Sequence, residues 1–488
     1  MSTPTFPRLA VAMTSLLALT VTLPGCATPD LGPQPQLRAP TDLASSRSLG
    51  GADALSREWP DDRWWSAYED PTLDALVAEA LSASPDVAGA QARIRQARGA
   101  EAVAGAARLP QVDGQASGGF TKQSYNNGIP SGFAPRGWKS TGTLALSGDF
   151  DLDLWGRNRA AFAAARSETE AREIDARQAT LLLSSNVVSS YFDLARLLER
   201  EKALVDAVEA RETVLDLTGK RVREGLDDQS PLRLSRAAVA TARIELASNR
   251  EQIAIRRHAL AALLGAGPDR TLDLVPTPIE AVAETPLPGD AGIGLAGRRP
   301  DIVAARLRVE AAASRIDVAR ADYMPDISLR GLIGLTSLGV SNLIDRGSTY
   351  GNAGAALRLP IFEGGRLRGQ FTQARGSYDE AVANYNGTVV DALRDVADAV
   401  AGRDVARAQE HDAIAARGEA EAAYEIALKR YRGGLGNYIE ALGALQSALD
   451  AREAAIDAHF RTLAREVALA RALGGGFADR TDEKVHGS

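Results

Sequence analysis

The residues of this chain that could make or break bonds are few and badly placed for it. Cys26 is the one cysteine, so no intramolecular disulfide can form. The four histidines, His258, His411, His459 and His486, are scattered, without acidic or cysteine partners at metal-ligand spacing. Gly474-Gly475-Gly476 follows a helical pattern instead of opening a helix after a strand, so it reads as helix termination, not a phosphate loop. Basic residues are spread through a chain of net charge −7, which leaves no footprint for nucleic acid. Neither an enzyme nor a bound cofactor is expected.

The setting of Cys26 suggests one modification. Residues 1–25 carry Arg8, an apolar run from Leu9 to Leu23, and Gly25. A run of about 15 residues is too short for a stable membrane span and fits a secretory leader. Leu23-Pro24-Gly25-Cys26 resembles the lipobox of bacterial lipoproteins; Gly25 fits the pattern and Pro24 is a less usual neighbour. The resemblance implies that the leader is removed and that Cys26 becomes the lipidated first residue. Ala27 follows, not the Asp that commonly retains lipoproteins in the inner membrane. The alternative is an ordinary leader with an incidental cysteine. No other stretch is apolar enough for a transmembrane helix, so any crossing must be β-structure.

Two copies of one pattern organise the rest. Ser84-Pro85-Asp86-Val87 recurs as Arg299-Pro300-Asp301-Ile302, and Leu109-Pro110 as Met324-Pro325, about 215 positions on. Trp155-Gly156-Arg157 matches Gly364-Gly365-Arg366, Arg221-Val222-Arg223 matches Arg430-Tyr431-Arg432, and Leu264-Gly265 matches Leu473-Gly474, about 209 positions on. The residues lost between these landmarks predict a loop there. The chain then divides into a leader (1–25), an N-terminal segment and collar (26–84), a first half (85–265), a connector (266–299), a second half (300–474) and a tail (475–488). Each half predicts a helix (85–109, 300–323), two strands, a long helix (157–218, 366–428), a tight turn and a return helix (232–264, 437–473). Prolines bound the first helices. Each long helix reaches on the order of 90 Å. Both carry a coiled-coil-like seam, through Val187, Tyr191 and Leu194 in one and Val382, Tyr385 and Val389 in the other.

Strands interrupt the helical pattern between Pro110 and Gly156. Leu144, Leu146, Phe150, Leu152 and Leu154 alternate with Thr143, Ser147, Asp149, Asp151 and Asp153, a strand with one apolar and one polar face. The three aspartates would face a lumen, or water at the base of a barrel. Ile327, Leu329, Ile333 and Leu335 repeat the pattern, and a further strand is expected at 350–359. Four strands cannot close a barrel, and an open edge cannot face lipid. They form either a soluble sheet or one completed by other chains; three chains would supply twelve strands and room for a pore.

The chain resembles the TolC-like outer-membrane efflux family, in its lipidated branch. The resemblance is carried by Trp64-Trp65 with Asp70-Pro71-Thr72-Leu73, by Asp151 to Arg157, by Leu359 to Arg366, and by Arg430 to Leu442. It implies a mainly α fold with a transmembrane β part. In it, a homotrimer builds a twelve-stranded β-barrel, four strands per chain, continuous with a long periplasmic helical barrel and an equatorial collar. It also implies a periplasmic adaptor and an inner-membrane pump, commonly proton-driven, with this protein the passive exit duct for drugs or other small toxic compounds. A protein-secretion duct and a lipid-anchored coiled-coil scaffold without a pore are the alternatives. Copper or silver export by a methionine relay does not fit, since Met324 is the only methionine after Cys26. The two helix tips, Gly225, Leu226, Asp227 and Asp228 in one, Gly434 and Leu435 in the other, are the expected periplasmic gate and adaptor dock. By position Tyr431 and Glu440 match a gating tyrosine and acid. Gly436 stands where the best-known members carry a gating arginine, and Gly443 where they carry a second acid. Mass spectrometry of the mature N-terminal peptide is expected to find Cys26 acylated; an unmodified thiol, or a mature start elsewhere, excludes the lipid.

Overall fold

A computed structural model describes residues 28–45, 47–49, 58–126, 130, 132–279 and 282–479. The leader, Cys26 and the last part of the tail lie outside the described residues. The helices are α1 (Pro71–Ala83), α2 (Pro85–Ala106), α3 (Arg157–Arg223), α4 (Gln229–Leu263), α5 (Ala291–Arg298), α6 (Pro300–Ala321), α7 (Arg366–Arg432) and α8 (Tyr438–Ala472). The strands are β1 (Gln111–Thr121), β2 (Lys139–Asp151), β3 (Asp326–Leu338) and β4 (Thr349–Arg358). The halves repeat each other in length: α2 and α6 have 22 residues each, α3 and α7 have 67, and α4 and α8 have 35.

The element ends differ from the sequence expectation for local reasons. Both long helices run on past 218 and 428, and their last turns carry Lys220, Arg221 and Arg223, and Lys429, Arg430 and Arg432. Cations there suit the negative end of the helix dipole. Helix α4 starts before Pro231, since a proline in the first turn forfeits no intrahelical bond. The expected loop is the hairpin connector, residues 122–138 in the first half and the shorter 339–348 in the second.

The chain divides into two compact units. Of the described residues, the first unit holds 28–35, 97–169 and 308–382. Its sheet is antiparallel throughout, in the order β1-β2-β3-β4, so β1 and β4 are edges. Register puts Leu144, Leu146 and Phe150 opposite Leu335, Ile333 and Leu329. Directly paired residues share a face, and following the ladders outward adds Val112 and Ala116 of β1 and Ala355 and Leu357 of β4. No charged residue stands on that face, and Leu144, Leu146, Ile333 and Leu357 are exposed on it. The other face carries Asp113, Asp149, Arg330 and Arg358.

Strand β2 ends at Asp151, so Leu152 and Leu154, expected on its apolar face, belong instead to the turn into α3. Asp153 breaks the strand by adopting the left-handed region, φ 43°. Its carboxylate accepts the N–H groups of Asn158 (2.9 Å) and Arg159 (3.0 Å) and so caps α3. Trp155 Nε1 donates to the Pro325 carbonyl at 2.7 Å, and Arg157 pairs with Asp322 at 2.8 Å. These contacts explain the Trp155-Gly156-Arg157 landmark.

The second unit holds 36–96, 170–307 and 383–479 of the described residues. Its core joins Leu73, Leu76 and Val77 of α1 to Val187, Tyr191 and Leu194 of α3, with Leu260 of α4 and Leu463 of α8. Asp70 organises this core. Its carboxylate caps α1 through the N–H groups of Thr72 (2.8 Å) and Leu73 (3.3 Å), accepts from Thr277 Oγ1 (3.1 Å), and accepts the hydroxyl of Tyr191. Tyr191 in turn accepts the N–H of Thr277 at 3.0 Å, and burial holds its phenol above the usual value. The connector is fixed again by Glu466, fully buried, which accepts from Thr285 N (2.8 Å) and Arg407 (2.7 Å). His459 bridges Glu410 and the Ile279 carbonyl, a structural place. Asp70→Ala would remove a helix cap and strand the buried hydroxyl of Tyr191. It is expected to cost about 2–4 kcal/mol, read as a lowered thermal midpoint; a loss under about 1 kcal/mol would show that the network does not hold the core.

Candidate functional site

Each long helix ends in the same reversal. Gly225 (φ 74°) and Gly434 (φ 73°) sit in the left-handed region that an L side chain resists. Leu226 N donates to Arg221 O and Leu435 N to Arg430 O, both at 2.9 Å. Gly225 N and Gly434 N close onto Val222 O and Tyr431 O, completing the paired bonds of a glycine C-cap. The return helices start on capping side chains. Asp228 accepts the N–H of Ser230 at 2.7 Å, and Asn437 accepts the N–H of Glu440 at 2.9 Å. Leu226 and Leu435 project into solvent.

Tyr431 and Asp227 meet across the two tips. Tyr431 is fully buried, among Val214, Leu428, Tyr438 and Leu445. Its hydroxyl donates to Asp227 Oδ2 at 3.0 Å and lies 3.2 Å from Thr218 Oγ1. Arg221 completes the cluster. Its Nε donates to Asp227 Oδ2 at 2.8 Å, its Nη1 to the Tyr431 carbonyl at 3.3 Å, and its guanidinium lies 4.8 Å from the centre of the Tyr431 ring. The Arg221 hydrogen bond holds the Asp227 carboxyl below its usual range, and burial raises the Tyr431 phenol.

Glu440 is not part of this cluster. Its carboxylate accepts from Asn437 Nδ2 at 2.9 Å, so Asn437 and Glu440 form a reciprocal cap at the start of α8. Arg221 and Thr218 were not singled out from sequence. Arg221 stood in the repeated Arg-Val-Arg motif, but its counterpart Arg430 donates to the Leu435 carbonyl instead, at 3.2 Å. The position matching Asp227 in the second tip is Gly436, so the arginine–carboxylate pair exists in one tip alone.

The three aspartates of the first hairpin separate in role. Asp149 stands on the polar face, 3.1 Å from Arg330. Asp151 accepts from Asn158 Nδ2 and from Asp153 N, both at 2.9 Å, and Asp153 caps α3, so both are engaged at the strand-to-helix turn. Among the described residues no group of His, Cys, Asp and Glu could hold a metal ion, and no helix is long and apolar enough to cross a membrane.

Four antiparallel strands with a bare apolar face, joined to 67-residue helices with glycine tips, define a channel of the TolC-like outer-membrane class. The family model described as outer membrane efflux protein matches residues 76–266 and 295–475, and the chain belongs to that family. It is 35% identical over 370 residues to the fusaric acid resistance protein FusA of Burkholderia cepacia, covering 74% of this chain and 68% of that one. The crystal structure of the outer membrane protein VceC from Vibrio cholerae is 38% identical, with TM-score 0.81 over 86% of this chain and all of that one. The CmeC outer membrane channel of Campylobacter jejuni is 26% identical, with TM-score 0.82 over 94% of this chain and 97% of that one. The chain is an outer-membrane efflux channel protein.

The Asp227 contribution has a definite sign with pH. A carboxyl lowered in the folded state contributes stability that is fully present above its unfolded value and lost as pH falls through the folded one. The tips are therefore expected to resist protease equally from pH 7 to about 5, well above the carboxylate range. Asp227→Asn should speed their cleavage at pH 7; unchanged cleavage would show that Asp227 does not tie the two tips together.

Proposed function

We propose that three copies of this chain close a twelve-stranded barrel and act as the passive exit duct of a tripartite system. The observation that carries this is the sheet: one face without a charge, with Leu144, Leu146, Ile333 and Leu357 exposed on it, and two edge strands that no other strand of the sheet pairs on their outer sides. Such edges are untenable in hydrocarbon unless another chain pairs with them. Pairing β4 of one copy with β1 of the next would satisfy both, and three copies leave a lumen where two would fill with side chains. Exposed aromatics support a membrane band. Phe120 and Trp138 stand at one end of the first hairpin, and Trp155 is at the other with Phe362 at the matching turn of the second half.

The tips are proposed as the periplasmic gate and adaptor dock, with Leu226 and Leu435 presented to the adaptor and Gly225 and Gly434 permitting the reversal. Closure is assigned to Arg221, Asp227 and Tyr431 within each chain, with Glu440 and Asp228 as helix caps. The duct is passive in this reading, and its energy comes from a partner, a proton-driven inner-membrane pump. Small toxic organic compounds are the proposed cargo, a class supported by the relative named for fusaric acid resistance. Cys26 is the proposed lipid site, a second anchor beside the barrel.

Leu146→Arg is expected to cost roughly 2–4 kcal/mol where the side chain meets mid-membrane lipid, and Ser147→Arg far less. Heat-modifiable trimer from outer-membrane fractions should be lost in the first variant and kept in the second, with conductance in planar bilayers following. Equal tolerance at the two positions would rule out the barrel.

A further inference from the structure

The stretch that follows Cys26 is held in an unusual way. Residues 28–38 form neither helix nor strand, and Leu31, Gln34 and Leu37 turn their side chains to solvent. A turn starts the grip: Asp30 Oδ1 accepts the N–H of Gly32 at 2.9 Å, with Gly32 in the left-handed region at φ 76°. In the first unit, Arg375 of α7 is 8% exposed. Its Nη1 donates to the Gly32 carbonyl at 3.2 Å, its Nη2 to the Pro33 carbonyl at 2.5 Å, and its Nε to Asp379 at 2.8 Å. In the second unit, Asn386 of α7 takes the next residues in both directions. Its Oδ1 accepts the N–H of Arg38 at 2.8 Å and its Nδ2 donates to the Gln36 carbonyl at 3.2 Å.

Both grips therefore take main-chain atoms. A buried guanidinium is tolerable only while its donors are satisfied, so release of the stretch would strand two Nη groups. We propose that residues 28–38 are a strap that ties the segment after Cys26 to α7, with Arg375 and Asn386 as its clamps and backbone as the thing recognised. The clamping stands on contacts within the described residues; its consequence for the membrane rests on the lipidated-channel reading above. The six residues from Cys26 to Gly32 span at most about 20 Å. An acyl chain on Cys26 would thus be held within reach of the unit that carries the sheet.

Hydrogen exchange on the full-length protein purified from outer membranes tests this, followed on peptides covering residues 30–40. Slow exchange is expected in the wild type. Arg375→Ala and Asn386→Ala should each accelerate it about tenfold or more, as the loss of a hydrogen bond to a buried or charged partner predicts. Replacing Leu31, Gln34 and Leu37 together by Ala should leave it unchanged, and Cys26→Ser should leave it unchanged, since the clamps do not use the lipid. Wild-type exchange in both clamp variants, or release of the strap by the triple replacement, would overturn the proposal. Bilayer conductance of the same preparations keeps the two readings apart. Absence of conductance in the wild type counts against the channel, whereas strap exchange alone decides the clamps.

Discussion

A backbone N–H or C=O in hydrocarbon has no water to fall back on, and that constraint governs this chain more than any side-chain contact. Within the sheet each inner strand is bonded on both sides, and the antiparallel ladder leaves β1 and β4 with one unbonded edge each. The apolar face belongs with those edges. Exposed leucine and isoleucine along one face would be a liability on a soluble sheet, and the absence of charge there suits a solvent that cannot stabilise charge. The polar face has the complementary freedom: it holds Asp149 and Arg330 as an exposed pair, a contact of small energetic worth but compatible with water.

The helical part solves a different problem, that of long helices with little core. Small residues dominate, and packing is concentrated where larger side chains meet, as around Tyr191 and around Tyr431. Between such places the helices are laced by pairs such as Arg200–Glu453 (2.9 Å) and Arg243–Glu212 (2.6 Å), each partly solvated and individually weak. The buried polar groups are of another kind. Asp70 and Glu466 each satisfy several partners at once, and each fastens the connector between the halves to the helices. The two matching halves are thus joined through contacts of Asp70 and Glu466 with the connector.

What the sequence made legible was whatever has a period. The strand face could be read from alternation, the long helices from their seam, and the matched halves from landmarks at a fixed offset. The strand's last apolar residues, Leu152 and Leu154, misled because alternation continues through a turn that Asp153 makes by leaving the β region. The contacts of Asp70 join residues 121 and 207 positions away and leave no periodic trace. Arg221 was hidden for a geometric reason. Its partner Asp227 lies six residues on, beyond the helix end, and only the glycine reversal brings the carboxylate back to it. Glu440, whose position matches a gating acid, has a local partner in Asn437, three residues before it. Recognition of bare backbone, as at Arg375, has no sequence signature on the strand of chain being held.

The three glycines after α8 tie together segments that lie far apart in the sequence. Gly474, Gly475 and Gly476 all take left-handed angles. A side chain on them would collide with the Arg298 carbonyl, the Leu181 side chain and the backbone at Asp61. Asp479 then bonds Gly297 through its N–H (2.9 Å) and Arg306 through its carboxylate (2.9 Å). Segments around residues 61, 181 and 298 therefore converge on a thread of naked backbone. The space between Asp61, Leu181 and Arg298 admits no side chain, so only glycine closes that part of the second unit. Contacts of such long sequence separation carry a loop-closure cost that slows folding. Formation of this part of the second unit is thus expected among the slower steps of folding, and a side chain at Gly474 or Gly476 would block it.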